Sequence, residues 1–136
     1  MRKSHSTLAL IAWPAAAAAV AAPIPVRTPV GSFAIAPSKA VTHVELTRVD
    51  FLPGQEMPEH MHPVPVVCFV TKGSFLVSIG ATPVRRVGVG DTTLEPAGMV
   101  VHYFRNATRD PAQLNCASLA GHDDKALSVM LNSPTK

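Results

Sequence analysis

Residues 64–98 read VPVVCFVTKGSFLVSIGATPVRRVGVGDTTLEPAG, and the fold class can be inferred from this stretch. Short apolar, β-branched runs are separated by Lys72-Gly73, Gly80, Gly90-Asp91 and Pro96-Ala97-Gly98. Glycine and proline at this spacing end strands and begin turns. Several short strands with frequent turns are typical of an all-β sandwich or barrel.

The pattern continues on both sides of this stretch. Further strands are predicted over residues 44–49, 100–104 and 113–119, and only residues 123–131 have apolar side chains at helical spacing, after Asp123 as N-cap. No strand–helix–strand alternation is present, which excludes a parallel nucleotide-binding sheet. The 136 residues allow one domain, and 13 prolines argue against long helices.

The N-terminal residues have the features of an export signal. Arg2 and Lys3 precede an apolar run from Leu8 to Ala22, and Ala19-Val20-Ala21 fits a signal-peptidase site. The run is shorter than the roughly 20 residues that span a bilayer, so we expect no stable membrane anchor after cleavage. We therefore predict a signal peptide over residues 1–22, an extended linker or dimerisation arm over 23–40, a β-barrel domain over 41–136, and a bacterial periplasmic location.

Composition excludes several classes of function. Hydrophobic residues make up 47% of the chain and charged residues 15%, which supports a packed core and excludes a disordered chain. The net charge of +3 falls to +1 when Arg2 and Lys3 leave with the signal peptide. No basic stripe remains, so nucleic acid is not an expected partner. A small-molecule substrate or ligand is the expected one.

Two histidines are the first candidates for chemistry. His60 and His62 are separated by one residue, and side chains at i and i+2 of a strand point to the same face. Both imidazoles can therefore enter one cavity, while Glu59 and Met61 point the other way. Imidazole binds iron, manganese, nickel, zinc and copper, so the pair indicates a divalent metal site of unknown identity.

Two spaced motifs support this interpretation. In the first, Gly54 is followed by five residues, by His60-Met61-His62 and later by Gly73; in the second, Gly90 is followed by five residues, Pro96-Ala97-Gly98, His102 and Asn106. Together they resemble the two motifs of the cupin family over about residues 41–120. The resemblance implies an all-β jelly-roll barrel whose mouth holds a divalent metal, with His60, His62 and His102 as ligands. It also implies a homodimer, in which residues 23–40 would be the dimerisation arm.

The sequence departs from the cupin motifs at two places. Three residues rather than two separate Gly98 from His102, a difference that a β-bulge could absorb. The first motif also expects a glutamate three or four positions after His62, where Val66 and Val67 stand. Either three histidines and water hold the metal, or metal affinity has been lost and a plain pocket remains.

Glu95 is the best substitute for the missing carboxylate. It precedes Pro96 on the second motif, and would lie near the histidines if the barrel forms. In that position it could be a ligand, support a ligand, or act as a general base in catalysis. The alternative is an exposed glutamate at a strand end.

The two cysteines, Cys68 and Cys116, allow two interpretations. Export permits a disulfide, whereas two buried thiols fit the apolar runs equally well. In a jelly roll their strands would be neighbours, so a Cys68–Cys116 bond is geometrically possible.

Two functions remain open from the sequence. The first is a metal-dependent, dioxygenase-like oxidoreductase acting on a small apolar or aromatic oxygenated compound, because Val64, Phe69 and Met99 provide apolar surface near the histidines. The second is a non-catalytic module that binds a small molecule or metal. The missing motif glutamate favours the second.

Overall fold

The computed structural model describes residues 26–131 of the chain. The predicted signal peptide over residues 1–22 lies outside the described residues. Nine strands form in chain order: β1 (His43–Phe51), β2 (His60–Met61), β3 (Val66–Lys72), β4 (Ser74–Ile79), β5 (Arg85–Gly88), β6 (Thr92–Glu95), β7 (Val100–Asn106), β8 (Ala112–Ala120) and β9 (Val129–Met130). Within residues 26–131 no helix of the length and apolarity needed to cross a membrane is present.

The strands form two antiparallel sheets. One has the order β1-β8-β3-β6 and the other β5-β4-β7-β2-β9. Apart from the paired strands β4 and β5, consecutive strands lie in different sheets, so the chain crosses repeatedly between them and closes a barrel. This arrangement confirms the predicted all-β jelly roll.

The core lies between the inner faces of the two sheets. Phe51, Phe75 and Phe104 pack together with ring centroids 5.1–6.0 Å apart. Buried valines surround these rings because β-branched side chains pack well on a pleated surface. One of these valines, Val101, pairs with His60 of β2.

One turn shows why a glycine punctuates the sequence. Gly73 joins β3 to β4 with φ of +76°, in the left-handed region. A Cβ at this position would lie 2.7 Å from the Cβ of Ala112. Only glycine satisfies both the conformation and the close approach.

Asn106 closes the loop after β7. Its Nδ2 donates hydrogen bonds to the carbonyls of Leu52 and Asp110, at 2.9 and 2.8 Å, and its Oδ1 accepts bonds from the backbone N–H and hydroxyl of Thr108. Asn106 is 1% exposed. The side chain of Asn106 therefore holds the turn after β7 in place.

Replacing this side chain should destabilise the barrel. Asn106→Ala removes four hydrogen bonds of a buried side chain and leaves the backbone N–H of Thr108 without its acceptor, and we expect a loss of about 2 kcal/mol in the free energy of unfolding. Urea unfolding measures the loss. The control is Asn115→Ala, at an exposed position of β8, which should change stability by less than about 0.5 kcal/mol.

The predicted C-terminal helix over residues 123–131 does not form. The carboxylate of Asp124 accepts a hydrogen bond from the backbone N–H of Gly121 and thereby forms a turn. Val129 and Met130 then pair with Met61 and His60 as strand β9. This segment pairs with the short β2 and does not form a helix, because β2 would otherwise be an open sheet edge.

The segment before the barrel packs against it without forming a strand over residues 26–40. Lys39 makes an ion pair with Asp124. Residues 34–36 line a cavity of about 230 Å³ with Pro65, Leu94 and Met99 at the β6 end of the first sheet. Pairing of this arm with a second copy stays a prediction.

Candidate metal centre

His60 and His62 enter the barrel at one end of the second sheet. His60 lies on β2, between Val101 of β7 and Met130 of β9, and is 5% exposed. The backbone N–H of Gly98 donates a 2.7 Å hydrogen bond to the carbonyl of His62, which ties the turn of the second motif to the first. The predicted convergence of the two imidazoles is therefore present, with ring centroids 5.1 Å apart.

Backbone carbonyls fix the orientation of both rings. Nδ1 of His60 donates to the carbonyl of Pro58 at 2.8 Å, and Nδ1 of His62 donates to the carbonyl of Leu127 at 2.6 Å. A histidine that donates through one ring nitrogen presents the other towards its ligand, which is the usual arrangement around protein-bound metals. Nε2 of each ring points to the same acidic side chain.

That acidic side chain is Glu95, at the end of β6. Its Oε2 lies 2.8 Å from Nε2 of His62 and 3.8 Å from Nε2 of His60. Glu95 is 3% exposed, so the alternative of an exposed strand-end glutamate is wrong. Within the described residues, the donor atoms of His60, His62 and Glu95 lie within 4.8 Å of one another and could hold a metal ion. We call these three residues the His–Glu cluster.

The cluster is held together by charge. Burial opposes ionisation of Glu95, but the close approach of His60 and the hydrogen bond from His62 outweigh it and lower the pKa of the carboxyl below its usual value. Burial likewise opposes protonation of His62, but hydrogen bonds to Glu95 and the Leu127 carbonyl, with the negative charge of Glu95, raise its pKa. The carboxylate form of Glu95 and the protonated form of His62 therefore stabilise each other.

Glu95 replaces the missing motif glutamate from the neighbouring strand. Val66, which stands where the motif expects that glutamate, pairs directly with Glu95 across β3 and β6. Directly paired residues point to the same face of a sheet, so both side chains enter the interior. The carboxylate therefore lies on β6 and not on the neighbouring strand β3, and it still reaches the histidines.

His102 is not part of the cluster, which corrects the three-histidine prediction. Along β7, Ser78 pairs with Tyr103 but Ile79 pairs with Val101, so a β-bulge leaves His102 without a partner in the ladder. The bulge turns Val101 inward, where it is 1% exposed, and His102 outward. There Nδ1 of His102 contacts Oε1 of Glu59 at 2.5 Å.

The two cysteines are joined by a disulfide. Cys68 and Cys116 face each other across β3 and β8, and no free cysteine exists in the described residues. The sequence left a disulfide and two buried thiols open, and the structure therefore has the disulfide. Cys68 is buried on the same inner face as Val66.

Comparisons with known proteins agree with this architecture. The solved structures that resemble the chain include an oxalate oxidase in complex with the substrate analogue glycolate, which is 27% identical with a TM-score of 0.57 over 65% of this chain and 46% of that one. An uncharacterized conserved protein with a double-stranded beta-helix domain from Klebsiella pneumoniae is 22% identical, with a TM-score of 0.55 over 64% of this chain and 69% of that one. The chain thus spans less than half the length of the oxalate oxidase.

A family comparison is more specific. No curated protein matches the chain significantly. Residues 47–118, more than half of the chain, match the Cupin domain family. They include both histidines, the glutamate and both motifs, and the chain therefore belongs to the cupin family.

Proposed function

We propose that this cupin binds a divalent transition-metal ion through His60, His62 and Glu95 and acts as a metal-dependent oxidoreductase on a small oxygenated compound. The observation that carries the proposal is the convergence of two Nε2 atoms on one buried carboxylate, with both Nδ1 atoms bonded to backbone carbonyls. Two imidazoles and a carboxylate form a donor set that suits iron, manganese, nickel, zinc and copper.

The residues present fit such an ion. When bound, a divalent ion supplies Lewis acidity to an oxygenated substrate and, if it is redox-active, one-electron chemistry. His62 must lose its Nε2 proton to become a ligand, and the carbonyls of Pro58 and Leu127 hold the rings in place meanwhile. Glu95 contributes negative charge in a buried site, where its attraction to a cation is strong.

The surroundings favour a small substrate. Val66, which pairs with Glu95, and Val101, which pairs with His60, are both at most 2% exposed. Of the three cluster side chains His62 is the most exposed, at 14%, so it marks the side open to solvent. The oxalate oxidase neighbour, with its glycolate complex, supports a small hydroxy or dicarboxylic acid that offers two oxygen atoms.

Removing the carboxylate charge should weaken metal binding. We expect Glu95→Gln to reduce affinity for Mn²⁺ or Zn²⁺ by about 100-fold, because the amide keeps the shape of the side chain but not its charge. Calorimetric titration of the metal-free chain measures the change. The matched control is Glu59→Gln, a second glutamate close in space to a histidine, which should bind metal like the unmodified chain; equal losses in both variants would refute the assignment of Glu95.

A non-catalytic binding module is the second candidate. The 2.8 Å contact between His62 and Glu95 favours it, because the two side chains satisfy each other without any ligand. Oxygen uptake by the metal-loaded chain with oxalate, glycolate, diketones and phenolics separates the two candidates. Uptake that requires both metal and Glu95 supports an oxidoreductase, whereas stoichiometric metal binding without turnover supports a binding module.

A further inference from the structure

Cys68 lies beside the His–Glu cluster. Its Sγ is 3.8 Å from Oε1 of Glu95, while the other oxygen, Oε2, faces the two histidines. Cys68 is 3% exposed and points into the barrel. A sulfur atom therefore lies on the side of the carboxylate that the imidazoles leave open.

A second observation shows that this part of the interior is polar. Thr93 pairs directly with Cys68 across β3 and β6 and faces the same side. Its hydroxyl is buried and, among the described residues, is the side-chain N or O atom that has no hydrogen-bond partner. A buried hydroxyl without a partner costs about 1–3 kcal/mol. A ligand or thiol at this place would offer the hydroxyl a partner.

We propose that reduction of the Cys68–Cys116 disulfide makes Cys68 a fourth ligand of the His–Glu cluster, which then prefers thiolate-binding divalent ions such as Zn²⁺ or Co²⁺. The inference rests on the proposed metal site and extends its donor set by one sulfur. The freed side chain reaches the site by rotation about its Cα–Cβ bond.

Reduction of the disulfide consumes one equivalent of dithiol. A dithiol reductant gives two electrons and two protons: its two S–H bonds are replaced by one S–S bond, the Cys68–Cys116 bond breaks, and each cysteine becomes a thiol. The thiol of Cys68 then releases its proton to solvent as the metal–sulfur bond forms. Thiolate is a softer donor than carboxylate or imidazole, so the reduced site selects for zinc and cobalt over manganese.

The two cysteines are not equivalent. Cys116 lies on β8, which is one strand further from Glu95 than β3 is, since the sheet order is β1-β8-β3-β6. Only Cys68 lies next to the cluster. Cys116→Ser frees Cys68 without any reductant, and Cys68→Ser frees Cys116, so the two variants are a matched pair with the same loss of the disulfide.

Absorption spectroscopy of the Co²⁺-loaded chains tests the proposal. Cys116→Ser, and the unmodified chain reduced with a dithiol and desalted without oxygen, should show a thiolate-to-cobalt charge-transfer band in the near ultraviolet and bind Zn²⁺ about tenfold or more tightly than the oxidised chain. Cys68→Ser and the oxidised chain should show no such band.

Three outcomes would overturn the inference. They are a band of equal strength in Cys68→Ser, no band in Cys116→Ser and the reduced chain, or loss of the folded circular-dichroism spectrum on reduction even with Co²⁺ present. Cobalt binding to the oxidised chain without the band would leave the proposed metal site intact, so failure of the thiolate ligand is distinguishable from failure of the site.

Discussion

A chain that carries both His60→Ala and His62→Ala should bind divalent metal at least about 1000-fold more weakly than the unmodified chain, because two of three donors are lost and a single buried carboxylate remains. In practice we expect no measurable metal after dialysis. Metal content per chain, by mass spectrometry after loading with Mn²⁺, Fe²⁺ or Zn²⁺, measures the effect.

The matched control is the double variant His102→Ala with His122→Ala. Both histidines are exposed and lie outside the His–Glu cluster. This variant removes the same number of imidazoles and should retain full metal content. If it loses metal as well, the exposed histidines are needed for binding, and the assignment of the ion to the His–Glu cluster alone is wrong.

Removing the disulfide should produce the second large effect. The bond closes a loop with a sequence separation of 48 residues, and loss of this constraint on the unfolded chain should cost about 4 kcal/mol in the free energy of unfolding. This is a large part of the roughly 5–15 kcal/mol that stabilises a typical domain. Urea unfolding of Cys68→Ser/Cys116→Ser against the oxidised chain measures the difference.

Urea unfolding in reductant separates the effect of the cross-link from the effect of replacing the two sulfur atoms. In a dithiol the unmodified chain and the double serine variant should unfold at similar urea concentrations, because neither then has the cross-link. A variant that remains about 4 kcal/mol less stable in reductant would show that the sulfur atoms stabilise by packing, and would contradict the loop-constraint account.

Much of the fold is predictable from the sequence because strand signals are local. The runs predicted over residues 44–49 and 113–119 lie within β1 and β8, and Thr92–Glu95 is β6. Turn residues mark where these strands end. The C-terminal segment could not be predicted in this way, since Val129 and Met130 become a strand only by pairing with β2.

The site was harder to predict, and one reason is the β-bulge in β7. Counting alternate residues back from Phe104 places His102 inward, as expected from the cupin resemblance. The bulge shifts this alternation by one residue, and Val101 is the side chain that points inward. The extra residue between Gly98 and His102 was the available signal: the cupin spacing of two residues leads to Val101.

Glu95 could be proposed but not assigned from the sequence. Its reach depends on the pairing of β6 with β3, which joins residues that are 29 positions apart, Val66 and Glu95. The carbonyls of Pro58 and Leu127 carry no sequence signal, because every residue has one. Local patterns identify the histidines, and only the three-dimensional structure identifies the groups that orient them.

The most direct test of the account is anomalous diffraction from crystals soaked with Mn²⁺ or Zn²⁺, recorded at the absorption edge of the metal. We expect one strong peak bounded by Nε2 of His60, Nε2 of His62 and a carboxylate oxygen of Glu95. A peak beside His102 and Glu59, with none at the His–Glu cluster, would contradict it.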